Sequence, residues 1–228
     1  WVAPLFARVM SLPPAVDTVR PLTLADTQSL RNAARRIWNF FTTFVSQEDN
    51  HLPPDNFQED PHPAVAHRTS PTNMGLYLLA TVTARDFGWL GLLDMTERLE
   101  LSLASLLKLE RHRGHLFNWY DTRTMHPLEP RYVSTVDSGN LAAHLLALKQ
   151  ACADLRQRPV LSAAQFAGVA DTLRLFQETL AKTKQDRRTL SVTADELQRC
   201  AEQLESCVFA PVATGSALFV RWRTLAEH

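Results

Sequence analysis

The chain has 228 residues and a mass of 25.7 kDa, with 24 basic and 24 acidic side chains and a pI near 7.3. So even a balance provides no field to draw the protein onto a polyanion, and nucleic acid is not an expected partner. With 45% hydrophobic and 21% charged residues the composition is that of a globular chain able to bury a core, which excludes disorder for the bulk of it.

Three cysteines, Cys152, Cys200 and Cys207, are odd in number and lack metal-ligand spacing. They fall in segments that read as helical, so they are expected to be buried small hydrophobes in a reducing compartment, without structural disulfides. No run of about 18 apolar residues is present to cross a bilayer, and the stretch 1–12 is too short for a signal peptide and lacks a cleavage pattern. The chain begins at Trp1 rather than Met, as expected of a piece of something longer.

Helical periodicity dominates. From Thr23, with Asp26 as capping-box partner, Leu30, Ala33, Ala34, Ile37, Phe40, Phe41 and Phe44 recur at intervals of three and four and predict an amphipathic helix. A second helix, from Thr72 to Phe87, is apolar nearly all round and is expected in the core. After a short turn at 88–91, Asp94 is read as the cap of a third, buried through Leu99, Leu103, Leu106 and Leu107, with Arg111, His112, Arg113 and Gly114 marking its end. A fourth follows Ser138 and stops before Pro159, a fifth opens at Ser162 with Gln165, a sixth starts at Thr193 with Glu196, and Ala217 begins a further one.

The connections alternate in length. About 25 residues separate the first two helices, about five the next two, about 24 the third and fourth, and about three the fourth and fifth, against a usual two to eight. Short connections join antiparallel neighbours, so every second loop emerges at the same end of the assembly. Both long loops, 46–71 and 114–138, are therefore expected on one working face.

The first long loop carries Pro53, Pro54, Pro61, Pro63 and Pro71, which hold it extended and stiff, without secondary structure. In the second, Trp119, Tyr120 and Tyr132 alternate with Asn118, Asp121, Arg123, Glu129, Asp137 and Asn140, and its runs HLFNWYDT and RYVST are candidates for a small hairpin. Aromatic platforms beside bidentate polar groups are what a sugar-binding surface requires. The plainer alternative stays open: Trp119 and Tyr120 could cover the end of the core, and Asp137 with Ser138 could be a helix cap. Neither His112 with His115 nor His62 with His67 has zinc-protease spacing, and CxxC, GxGxxG, GxxxxGK[ST] and GxSxG are absent. The pairs Arg35–Arg36 and Arg187–Arg188 read as solvated helix faces or ends.

The segments LPPDNFQEDP (52–61), VAHRTSPTNMGLYLL (65–79), ARDFGWLGLLDMTERLE (84–100) and RGHLFNWYDTRTMHPLEPRYVSTVDSGNLAAHLLALKQAC (113–152) resemble the bacterial cyclic β-1,2-glucan synthase family. Members are large inner-membrane enzymes with a UDP-glucose-using transferase module, a glucoamylase-like cyclisation module and a phosphorylase-like module. The resemblance implies an all-α fold of antiparallel helix hairpins forming part of an (α/α)6 toroid, with residues 1–22 as a linker after an upstream membrane region and 23–228 as the incomplete start of the glucoamylase-like module. It implies a β-1,2-glucan chain and the remaining modules as partners, no cofactor or metal in this segment, and a place on the cytoplasmic side of the inner membrane. The catalytic carboxylates are expected farther along the polypeptide. Asp55, Asn56, His67, Arg68 and Asn73 match the LPPDN and HRTSPTN motifs and would hydrogen-bond glucose hydroxyls or brace the loop that does. Trp119 and Tyr120, with Asn118 beside them, match NWYDT and would stack on a sugar ring, while Asp121, Asp137 and Asn140 would orient hydroxyls or water. For Arg68 the alternative is a buried ion pair with Asp55 or Asp121.

Overall fold

Seven α-helices and three two-stranded antiparallel sheets make up the described residues of the computed structural model, 2–12, 21–186 and 191–209 with Val220 and Arg223. The helices are α1 (Ala3–Ser11), α2 (Leu24–Phe44), α3 (Pro71–Asp86), α4 (Leu92–Lys108), α5 (Thr135–Leu155), α6 (Ala163–Asp186) and α7 (Ser191–Phe209). The short strands are β1 (Phe57–Gln58), β2 (Ala64–Val65), β3 (Arg68–Thr69), β4 (Arg111–His112), β5 (His115–Leu116) and β6 (Tyr120–Asp121).

Local chemistry sets most of these boundaries. The Thr23 hydroxyl accepts from the Asp26 N–H and the Asp26 carboxylate accepts from the Thr23 N–H, the reciprocal cap that the sequence predicts. At α6 the Gln165 side chain accepts from the Ser162 N–H at 2.6 Å. Elsewhere the caps move. Gly91 precedes α4 with no side-chain cap, leaving Asp94 in the first turn, and Ser134 rather than Ser138 caps α5 by accepting from the Asp137 N–H at 3.1 Å. Gly114 does take a positive φ, 87°, but in the turn between β4 and β5 beside Arg113 at 51°, and not as a helix cap. The helix α1 lies in the stretch read as a linker, with all its residues exposed. The helix predicted from Ala217 lies outside the described residues except for Val220 and Arg223, as do Arg187 and Arg188.

Side-chain contacts fix the directions. Arg31 donates to the Phe87 carbonyl while Trp38 stacks on Tyr77, so α2 and α3 are antiparallel. Thr72 meets Asp137 and Asn140 and Gly75 lies against His144, so α3 and α5 run parallel. Arg31 with Asp171 and Arg36 with Glu178 make α2 and α6 parallel. Successive helices from α2 to α6 thus alternate in direction, and the connections 45–70 and 109–134 emerge together at the pole where α3 and α5 begin.

The main core packs Trp38, Val45, Tyr77, Leu78, Val82, Leu99 and Leu148 between α2, α3, α4 and α5. A second cluster joins Met74, Leu106 and Leu141 to three residues from the long connections, Leu52, Leu116 and Tyr120. The buried stripe of α2 is therefore Trp38, Phe41 and the following Val45, whereas Leu30 and Ile37 are 57% and 66% exposed, contrary to the stripe expected. On α4, Met95, Leu99, Ser102, Ser105 and Leu106 are buried and Leu107 faces solvent. Cys152 and Cys200 are free and exposed, not core residues; the side chain of Cys207 is outside the described set. No helix among the described residues is long and apolar enough to cross a membrane.

Candidate functional site

The two long connections do not merely share a pole; they pair. Strand β3 from the first lies antiparallel to β6 from the second, with Arg68 opposite Asp121 and Thr69 opposite Tyr120, and the Thr122 N–H donates to the His67 carbonyl at 3.1 Å. The hairpin expected within 115–135 forms in part: Tyr120 bridges Pro127, the Leu128 N–H donates to the Trp119 carbonyl and the Asn118 N–H to the Tyr132 carbonyl, while the other edge of 120–121 pairs across to the first loop. The first loop also contains the antiparallel pair β1–β2, so its prolines do not keep it free of secondary structure.

One polar group surrounds Asp55. Its carboxylate accepts from Arg68 Nε at 3.2 Å and Nη2 at 3.0 Å, from Asn56 Nδ2 at 3.2 Å and from Asn73 Nδ2 at 3.2 Å. The Arg68 guanidinium also lies 4.8 Å from the ring centre of half-buried Trp119. Of the two acids offered as partners for Arg68, Asp55 forms the ion pair, but Arg68 is 50% exposed, so the pair is not a buried one.

A second group sits on the first turn of α3, one residue away. The Thr72 hydroxyl donates to Asp137 at 2.5 Å and accepts from Asn140 Nδ2 at 3.1 Å, tying the starts of the parallel helices α3 and α5 together. Asp137 is thus neither cap nor free carboxylate. Thr72 and Asn73, adjacent in sequence, join the two groups.

The third group holds the loops against each other. The Asp49 carboxylate, 5% exposed, takes the Thr122 hydroxyl at 2.6 Å and His67 Nδ1 at 2.7 Å, and Asn50 Nδ2 donates to the carbonyls of Thr122 at 2.8 Å and Arg123 at 2.9 Å. Asn50 and His51 have positive φ, 51° and 56°. Asp121 closes the facing turn by accepting from the N–H groups of Arg123 and Thr124 at 2.9 and 2.7 Å.

Two residues assigned to sugar contact point inward instead. Tyr120 is fully buried: its hydroxyl donates to the Glu110 carbonyl at 2.6 Å and accepts from the Phe117 N–H at 2.8 Å. It cannot stack on a ligand, and burial, ahead of opposing smaller influences, raises its phenol pKa above the ordinary value. Asn118 is 4% exposed, beside that core. Asp49, Asn50, Thr72 and Thr122 carry no site signal in the sequence; the Asp49–Asn50 pair before LPP carries a turn signal, but its reach to residue 122 has no local signature.

Among the described residues no group of three or more His, Cys, Asp or Glu could hold a metal ion. An apolar cleft of ≈ 530 Å³ between Trp89, α6 and α7 lies away from all three polar groups and lacks the donors and acceptors a sugar needs.

No family model matches the chain. It is 47% identical over 164 residues to the cyclic β-(1,2)-glucan synthase NdvB of Rhizobium meliloti (strain 1021), a match covering 72% of this chain and 6% of that protein. A crystal structure of a glucoamylase-like protein from Bacteroides fragilis matches 59% of this chain and 32% of its own at 20% identity and a TM-score of 0.46, too remote to carry an argument. The kinship read from the loop motifs holds: over most of its length the chain is a relative of one short segment of the cyclic β-1,2-glucan synthase family.

Proposed function

We propose that this chain is the start of the glucoamylase-like module of a cyclic β-1,2-glucan synthase, with 1–22 leading in from an upstream membrane region, and that its long-loop rim lines the glucan cleft of the transglycosylating cyclisation reaction. On this reading the partners are a β-1,2-glucan chain and the transferase and phosphorylase-like modules of a parent enzyme at the cytoplasmic side of the inner membrane. The bond-breaking carboxylates lie elsewhere in the parent, and this segment needs no cofactor.

The observation that supports the reading best is the β3–β6 pairing, which brings Trp119 and Arg68 together on a rim with Asp55 and Asn73. An indole edged by carboxylate, guanidinium and amide groups suits a sugar's apolar ring face and its hydroxyls. Arg68 already covers part of the indole, so a glucose ring shares the platform with it. Asn118 and Tyr120 support that platform from below, while Asp55, Asn56, Arg68, Asn73, Asp137 and Asn140 supply the polar margin.

Titrating the full-length protein with linear β-1,2-glucan tests this. Trp119→Ala should weaken binding about tenfold with the thermal melt preserved. Equal binding by the variant removes the stacking role, and a full-length protein that yields no cyclic product from linear glucan removes the cyclisation assignment.

A further inference from the structure

His67 is held from both sides in one protonation pattern. Asp49, a buried carboxylate that can only accept, lies 2.7 Å from Nδ1, which places a proton on that nitrogen. Arg123 Nη2, which can only donate, lies 2.9 Å from Nε2, which leaves that nitrogen with its lone pair. Both contacts assign the same tautomer. The His67 side chain is 28% exposed and its Nε2 partner Arg123 is exposed, where the two loops join. The next residue, Arg68, lies over Trp119.

A purely structural bracket between the loops has no need of the exposed Arg123–Nε2 contact, because Asn50 and Thr122 already bind the loops together. Releasing an exposed arginine into water costs little, whereas the Asp49–Thr122 bond behind the ring is buried. We propose that Asp49 is a positioning residue that presents His67 as an Nδ1-protonated acceptor, and that a sugar hydroxyl takes the place of Arg123 at Nε2 when glucan lies on the rim. The inference rests on the glucan reading above. No bond is made or broken; one hydrogen-bond donor replaces another.

Nitrogen-15 spectra of the histidines in the full chain, combined with titration by a linear β-1,2-gluco-oligosaccharide, test it. The free protein should show His67 protonated at Nδ1, the ligand should shift Nε2, and Asp49→Asn should turn the single tautomer into a mixture. Asp49→Asn should bind the oligosaccharide about five- to tenfold more weakly, His67→Gln at least as weakly, and the double variant no more weakly than His67→Gln. A free ring protonated at Nε2, an Nε2 signal unmoved by bound oligosaccharide, or wild-type affinity in Asp49→Asn overturns the inference while leaving glucan binding in place. A wild-type chain that binds no oligosaccharide overturns both. Should Asp49→Asn fail to fold, the wild-type tautomer and its ligand shift decide the matter alone.

Discussion

Where α3 gives way to α4 the chain turns within residues 87–91, and two backbones touch: a Cβ on Gly168 would fall 2.1 Å from the Gly88 carbonyl oxygen. At the opposite pole the chain spends residues 45–70 and 109–134 on connections tied by three two-stranded sheets, by backbone turns and by side chains reaching across. The first pole is organised by Asp171, fully buried on α6, which accepts from Arg31 at 2.6 Å, from Trp89 Nε1 at 2.9 Å and from Arg174 at 3.3 Å, linking α2, the turn and α6. The second distributes its polar contacts over three groups joined by a two-residue sheet, two of them exposed or half-buried and the third built on the buried Asp49 and Thr122. A pole with one buried hub should fail as a unit; a pole with several partly hydrated groups should lose them one at a time.

The hub is the place to break that contrast. Asp171→Ala takes away the carboxylate shared by Arg31, Arg174 and the indole N–H of Trp89, and should lower stability by about 3 kcal/mol in chemical denaturation. Asp171→Asn, which keeps an acceptor for Trp89, should recover part of the loss. Hydrogen exchange should rise along α2 and α6 and stay unchanged in residues 66–69 and 120–123. A variant as stable as wild type would show that the pole is held by apolar packing and the glycine contact instead.

At the loop pole the largest single effect should come from Tyr120, the residue through which the second loop enters the core. Tyr120→Phe keeps the ring and strands the Phe117 N–H and the Glu110 carbonyl, costing about 2 kcal/mol. Fast exchange should then appear in 110–120 and not around Asp171. Arg68→Met removes one ion pair and one cation–aromatic contact, but at 50% exposure water replaces most of both, so the loss should stay under about 1 kcal/mol. A loss several times larger would restore the structural role that the exposed geometry argues against.

The contrast also explains which parts of the fold are legible in the sequence. Helices with local caps are: Thr23 with Asp26 and Ser162 with Gln165 are pairs three residues apart, and the structure uses both. The alternation of loop lengths is a topological constraint, and it placed both long loops at one pole. The buried face of α2 was not legible, because two apolar stripes with helical spacing compete and the one carrying Trp38 also carries Arg31 and Arg35, whose partners Asp171 and Trp89 are remote in sequence. Nor was the inward turn of Tyr120. In a two-residue strand its direction depends on register with Thr69, a contact between residues in different loops. Cys152 and Cys200 are exposed although helical spacing points to burial, and Cys200 is so because it lines the open apolar cleft between α6 and α7.

The smallest effect separates charge from shape at the rim. Burial, the largest single influence on Asp121, pushes its pKa up, but the hydrogen bonds from the Thr124 N–H, the Thr124 hydroxyl and the Arg123 N–H outweigh it and hold the carboxyl below the ordinary value. A carboxyl whose pKa is lower in the folded protein contributes stability that is present above the unfolded value and is lost as pH falls through the folded one. Thermal melts of wild type and Asp121→Asn should therefore differ most above about pH 4 and converge in stronger acid. The β3–β6 pairing should outlast that convergence, since the bonds from Asn50 to the Thr122 and Arg123 carbonyls do not involve the titrating oxygens. Curves that stay parallel to pH 3 would mean that an amide closes the 121–124 turn as well as a carboxylate does, leaving the rim's shape independent of its charge.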